Sequence, residues 1–194
     1  MLSTLKKVKR GEKGFTLIEL LVVAAIIGIL LAIAIPNLIK ARMSANEANA
    51  RKSMQTLRDA EGMYFEQDLN DNGQRDFTSS ITELRDPGGA GGGEVDALVD
   101  SSFEDAVCAA GSTDGSCCTD SKAGYCITWD SAEVAEGNDL DDFAWQTSMT
   151  SYNKTGRRDF SVYGDGAIRC TVSSVGTAGS PGTFEAIRDT AGCD

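Results

Sequence analysis

From Leu20 to Ile39 the chain runs twenty residues without a charged side chain. Coiled as a helix, such a run is ~30 Å long, which matches the hydrocarbon core of a bilayer. The opening stretch, MLSTLKKVKRGEKG, carries Lys6, Lys7, Lys9, Arg10 and Lys13. Positive charge stays on the cytoplasmic side, so the expected topology is N-terminus in and C-terminus out. A secretory signal peptide has a shorter apolar core and a small-residue cleavage site after it. Here the helical pattern continues past Ile39, and Pro36 is tolerated in a membrane helix, although it is expected to kink it. One residue disturbs the plan. Glu19 stands at the head of the run, and a carboxylate at a bilayer centre costs about 2.5–3.5 kcal/mol even on the lenient insertion scale. Nothing within reach in the same chain obviously neutralises it, so its partner is expected to come from outside.

The stretch KGFTLIELLVVAAIIGILLAIAIP resembles the class III signal of type IV pilins and type II secretion pseudopilins. Those proteins share a basic leader ending in glycine, then Phe-Thr-Leu-Ile-Glu, then an apolar helix. The matching residues are Gly14, Phe15, Thr16, Leu17, Ile18 and Glu19, with Gly28 and Pro36 at the family's usual offsets. The likeness covers the N-terminal quarter of the chain. It implies that residues 1–14 are a basic leader, removed by a prepilin peptidase that cuts between Gly14 and Phe15 and methylates the new amino group. It also implies a counter-ion for Glu19: in an assembled fibre one subunit's Glu19 can face the amino terminus of its neighbour. Residues 15–39 are then the transmembrane and assembly helix, with Glu19, Gly28 and Pro36 as its assembly positions. In the family, the segment between Gly28 and Pro36 can lose helical structure on assembly. The implied partners are further copies of the chain, the peptidase, an inner-membrane assembly platform and the membrane before assembly. The implied location is the inner membrane, then an extracellular pilus or a periplasmic pseudopilus.

Residues 40–66 continue the helix with a different face. Ala50, Met54, Leu57, Ala60, Met63 and Tyr64 recur at three- and four-residue steps, which predicts one core-facing stripe. Residues 67–194 are expected to form an acidic globular head. DLNDNGQRDF ends the helix with turn formers, and Asp68, Asn70, Asn72, Gly73 and Asp76 fall at EF-hand positions. Position 12 is Ser79, where a bidentate glutamate is needed, so a polar turn is the better reading. A second acidic cluster spans Glu136 to Asp142, and no metal site is assigned to either cluster. DPGGAGGGE reads as a flexible connector. YCITWD and DFAWQTS read as strands, and RDFSVYGDGAIRCTV as a hairpin turning at 164–166. Phe160, Val162, Ile168 and Cys170 would share one face, free to pack on the helical stripe. The fold class is α+β: a long N-terminal helix, membrane-spanning in its first half, against a C-terminal antiparallel sheet.

The six cysteines, Cys108, Cys117, Cys118, Cys126, Cys170 and Cys193, all lie in the C-terminal half. An even number on the exported side predicts disulfides in an oxidising compartment. Six cysteines allow fifteen pairings. Adjacent Cys117 and Cys118 are expected to take different partners, with Cys108 and Cys126 nearby. By likeness to the C-terminal disulfide loop of type IV pilins, Cys170 is expected to pair with Cys193. Beyond the leader the chain carries thirteen basic and twenty-eight acidic residues, a net of −15, which disfavours direct nucleic-acid binding. With no histidine, Ser-His and Cys-His catalysis is impossible, and the S-x-x-K of Ser151 to Lys154 lacks its companion motifs. No enzyme activity and no cofactor are expected. The function implied is a structural subunit of a type IV pilus. The alternatives are a type II secretion pseudopilin and a membrane-tethered binding module that never polymerises.

Overall fold

The computed structural model describes residues 14–69, 73–87, 96–109, 112–130, 141–175 and 177–184. The chain divides into two compact units, 1–39 and 40–194. Helix α1, Leu17–Gln67, runs unbroken through 51 residues, with Pro36 inside it. In the first unit every described residue from 14 to 39 is exposed. Sixteen of them, from Phe15 to Ile39, are large apolar side chains. Within the first unit the helix is long and apolar enough to cross a membrane.

The second unit is built on the C-terminal half of α1 and a four-stranded antiparallel sheet in the order β1-β2-β3-β4. The strands are β1 (Tyr125–Trp129), β2 (Ala144–Met149), β3 (Arg158–Tyr163) and β4 (Ile168–Val172). Two one-turn helices, α2 (Ile81–Arg85) and α3 (Ser102–Ala106), precede the sheet. The core gathers Ala50, Met54, Leu57, Ala60 and Tyr64 of α1 with Tyr125, Ile127, Trp129, Trp145, Met149, Phe160 and Val162 of the sheet. Trp129 and Trp145 face each other across β1 and β2 and meet edge to face at 5.3 Å. The architecture is α+β, as the strand and helix patterns imply.

The expected hairpin is β3–β4, in register with Phe160 opposite Cys170 and Val162 opposite Ile168. Its turn needs Gly166, whose φ of +72° is a left-handed conformation that side chains resist. Phe160 and Val162 are buried, and Ile168 and Cys170 pack partly buried against the same core. The opposite face of the sheet is polar, yet it is buried as well: Thr128, Gln146, Ser148, Asp159 and Ser161 are all at most 4% exposed. Three of these groups have side-chain partners on the same face. Ser148 Oγ donates to Asp159 Oδ1 at 2.6 Å, and the Gln146 amide donates to Asp130. Buried polar groups are tolerated when they are paired in this way.

Two positions on α1 depart from the predicted stripe. Met63 is 48% exposed, because it lies about 130° around the helix from the line through Leu57, Glu61 and Tyr64. Glu61 takes the place on that line and is fully buried. Its Oε1 accepts from Trp145 Nε1 at 2.7 Å, and its Oε2 accepts from the Thr78 backbone N–H at 3.1 Å. Thr78 in turn donates its hydroxyl to Glu83, which also accepts from the Tyr64 phenol at 3.5 Å. This carboxyl therefore fastens the segment before α2 to α1 and to β2 together. Burial pushes its pKa up to about 8, against the opposing pull of the two hydrogen-bond donors.

The folded pKa of Glu61 lies above its ordinary value of 4.5, so the folded state holds a proton that the unfolded chain releases. Its contribution to stability is complete below that ordinary value and is lost as pH rises toward about 8. Chemical denaturation across this range should show wild type losing up to about 1.4 kcal/mol per pH unit relative to Glu61→Gln. At low pH the variant should be the weaker by about 1–2 kcal/mol, since an amide nitrogen cannot accept from both donors. Parallel pH profiles for the two proteins would contradict the assignment. A second test concerns the turn at Gly156, where an added Cβ would lie 1.9 Å from the Tyr125 hydroxyl. That hydroxyl donates to the Arg158 carbonyl at 2.9 Å, so Gly156→Ala should cost about 1–3 kcal/mol of head stability in the same assay.

Candidate functional site: the N-terminal processing and assembly segment

Gly14 and Phe15 precede the first turn of α1, both exposed, Phe15 at 82%. Space around Gly14 is open, with nothing within 4 Å of where a Cβ would stand. Among the described residues nothing crowds Gly14 on the side where a Cβ would stand. Thr16 and Glu19 close the helix end reciprocally. Glu19 Oε2 accepts from the Thr16 backbone N–H at 2.8 Å and from its hydroxyl at 2.7 Å, while Glu19 N donates to Thr16 Oγ1 at 3.3 Å. This is a capping box, in which a Thr and a Glu three residues later satisfy each other's free helix-end groups.

This geometry adds a contact to Glu19 that the apolar pattern of the sequence leaves out. Thr16 supplies two hydrogen bonds. Both donors are neutral, however, so the carboxylate is held in place without gaining a counter-ion. The signal for the capping box in the sequence is the T-x-x-E spacing of Thr16 and Glu19 directly before an apolar run.

Gly28 and Pro36 lie within α1, and Gly28 also has open space around it. Proline has no N–H and cannot bond the carbonyl of residue i−4, here Ala32, yet the helix continues past it. A helix with one missing bond and a nearby unencumbered glycine has its least constrained stretch between those two positions.

In the head, Cys108 pairs with Cys117 and Cys118 with Cys126. The adjacent cysteines thus turn to opposite neighbours, closing loops of sequence separation 9 and 8. Each closure removes chain entropy worth about 2–3 kcal/mol. Cys170 is disulfide-bonded too, while Cys193, its expected partner, lies outside the described residues. Of the two acidic segments, 70–72 and 136–140 lie outside the described residues, as does the glycine-rich 88–94. Asp68 stops α1 in a left-handed conformation, φ +48°, and its Oδ2 accepts from Gly73 N at 3.1 Å, as a polar turn requires. Asp142 Oδ1 accepts from Phe143 N and Gly164 N at 2.8 and 2.7 Å. Among the described residues no three acidic or cysteine side chains are grouped as metal ligands.

Comparison with known proteins falls on the same N-terminal segment. The family model for the prokaryotic N-terminal methylation motif matches residues 9–35. The type IV major pilin protein PilA of Myxococcus xanthus is 48% identical over 54 residues, 28% of this chain and 24% of that protein. The type IV wide pilus major component PilA4 of Thermus thermophilus is 66% identical over 38 residues, 20% of this chain and 29% of the relative. The narrow pilus major component PilA5 of the same organism is 50% identical over 48 residues, 25% of this chain and 41% of the relative. The chain thus spans less than half the length of each of these relatives. No solved structure matches it. By its N-terminal segment the chain carries a prepilin-type methylation motif and is similar to the type IV pilins.

Proposed function

We propose that this protein is a structural subunit of a type IV pilus, anchored by residues 15–39 and polymerised through them after removal of residues 1–14. The observation that carries the reading is the bare apolar helix. Sixteen large apolar side chains between Phe15 and Ile39 are exposed, each worth about 1.5–3 kcal/mol when fully removed from water. Their sum is on the order of tens of kcal/mol and exceeds the 5–15 kcal/mol by which a typical domain is folded. A helix of this kind rests either in lipid or against other copies of itself. The relatives that share the segment are pilins by name, which favours a pilus over a secretion pseudopilus and gives no support to catalysis.

The capping box gives the assembly step its chemistry. Cleavage after Gly14 would leave an ammonium on Phe15, one residue from the Thr16 N–H that holds Glu19. Both charges would then sit at the same helix end, in a solvent of low dielectric. An ion pair there is tolerated, whereas either member alone is costly. An incoming subunit whose ammonium meets a neighbour's Glu19 is thereby set in register along the fibre.

Two measurements test this reading. Gly14→Ala should leave an uncut precursor, and a mature-length product by mass spectrometry would contradict cleavage at that bond. Glu19→Ala should still insert into membranes but yield more than about tenfold fewer sheared filaments, because it strands an ammonium at a cost of about 3 kcal/mol or more. Filaments in normal number from that variant would count against a role for Glu19 in assembly. If filaments are absent from wild type while secretion of another protein depends on this chain, the pseudopilus reading replaces the pilus.

A further inference from the structure

Beyond the leader, the basic residues are distributed unevenly. Seven of the thirteen fall in two short stretches: Lys40, Arg42, Arg51 and Lys52 in 40–52, and Lys154, Arg157 and Arg158 in 154–158. These stretches contain a single acid, Glu47, so their net charge is +6. The rest of 40–194 holds six basic and twenty-six acidic residues, a net of −20.

The fold joins the two stretches. Asn46 Nδ2 donates to the Thr155 carbonyl at 2.9 Å, and Arg157 N donates to Glu47 Oε1 at 2.9 Å. Beside this junction Arg51 and Arg158 line a groove of about 280 Å3 with Glu47 and Phe160. Elsewhere every described basic side chain of the head is ion-paired: Arg58 with Asp59, Arg75 with Glu66, Arg85 with Glu104, Lys122 with Asp100 and Arg169 with Asp165. In the junction the pattern reverses. Lys40, Arg42, Lys52, Lys154, Arg157 and Arg158 are exposed and form no ion pair among the described residues.

We infer that this cationic collar is a docking surface for an anionic lipid headgroup layer, engaged while the apolar segment lies in the bilayer. The inference rests on the membrane reading proposed above. Lys40 follows the uncharged run directly, which places the first cation of the collar at the water boundary of any span ending at Ile39. Residues 46–47, where the second stretch attaches, are about 9–11 Å of helix rise beyond Lys40. That is close to the Debye length of roughly 8–10 Å, so Lys40, Arg42 and the second stretch feel a charged surface, while Arg51 and Lys52 stand about 16–18 Å of rise beyond Lys40. The remaining −20 of the head is repelled by the same surface, and the two forces together select one orientation, collar toward the lipid. A second copy's acidic face offers matching charge, but it lacks this continuity with the membrane-spanning run.

The test uses the full chain, one copy per lipid nanodisc, in phosphatidylcholine alone or mixed with phosphatidylglycerol. Acylation of Lys40 and Lys154 by an amine-reactive reagent is followed by mass spectrometry, with ion-paired Lys122 as the internal reference. Anionic lipid should slow labelling of Lys40 and Lys154 relative to Lys122 by about fivefold or more, the factor expected for each basic residue held at such a surface. High salt should abolish the effect, and the surface variant Arg157→Gln/Arg158→Gln should weaken it at Lys154. Equal labelling in the two lipids would overturn the inference while leaving the membrane reading intact. Protection that follows the number of copies per disc, whatever the lipid, would overturn it in favour of a second copy as the partner. A chain that enters neither disc would overturn the membrane reading and the inference with it.

Discussion

The constraint on which the rest depends is solvation of residues 15–39. An α-helix that exposes sixteen large apolar side chains between Phe15 and Ile39 cannot remain in water. No rearrangement of the head removes the demand, because the favourable free energy of covering the segment exceeds what folding of a domain supplies. In the reading proposed here, Glu19 turns a non-directional demand into a directional one. Hydrophobic cover alone does not distinguish one axial position of neighbouring helices from another. A carboxylate fixed by Thr16 at a single level along the helix does.

The head answers a different demand, that of staying folded and soluble with a small core and many acids. Its core is a helix face against one side of a four-stranded sheet, extended by the one-turn helices α2 and α3. Cross-links serve the parts where apolar content is thin. The loops around Cys117 and Cys118 contain glycine, serine and aspartate and little that could be buried, and two disulfides hold them. Glu61 plays a comparable part with hydrogen bonds, joining α1, β2 and the chain before α2 at one buried point. Its elevated pKa is the penalty for placing an acid there.

Much of this was legible in the sequence because it depends on local pattern. The uncharged run, the three- and four-residue spacing from Ala50 to Tyr64 and the glycine-flanked turn at 164–166 each report a periodicity that the backbone imposes. What escaped depends on contacts between distant residues. Glu61 is polar, and only the arrival of Trp145, 84 residues later in the chain, makes its burial tolerable. Met63 was misplaced because spacing alone cannot say which side of a stripe is its edge. The burial of the sheet's polar face was equally hidden, since Ser148 and Ser161 look like solvent-facing positions until their neighbours are known. The collar lies between these cases: its charges are plain in the sequence, but their assembly into one patch needs the contact between Asn46 and Thr155.

The most direct measurement of the central claim is a cryo-electron microscopy reconstruction of native filaments at side-chain resolution. The account predicts residues 15–39 enclosed at the filament axis, with each Glu19 carboxylate in contact with the amino terminus of an adjacent subunit that begins at Phe15. Filaments held together by head contacts alone, with that helix facing solvent or with residues 1–14 still attached, would contradict it.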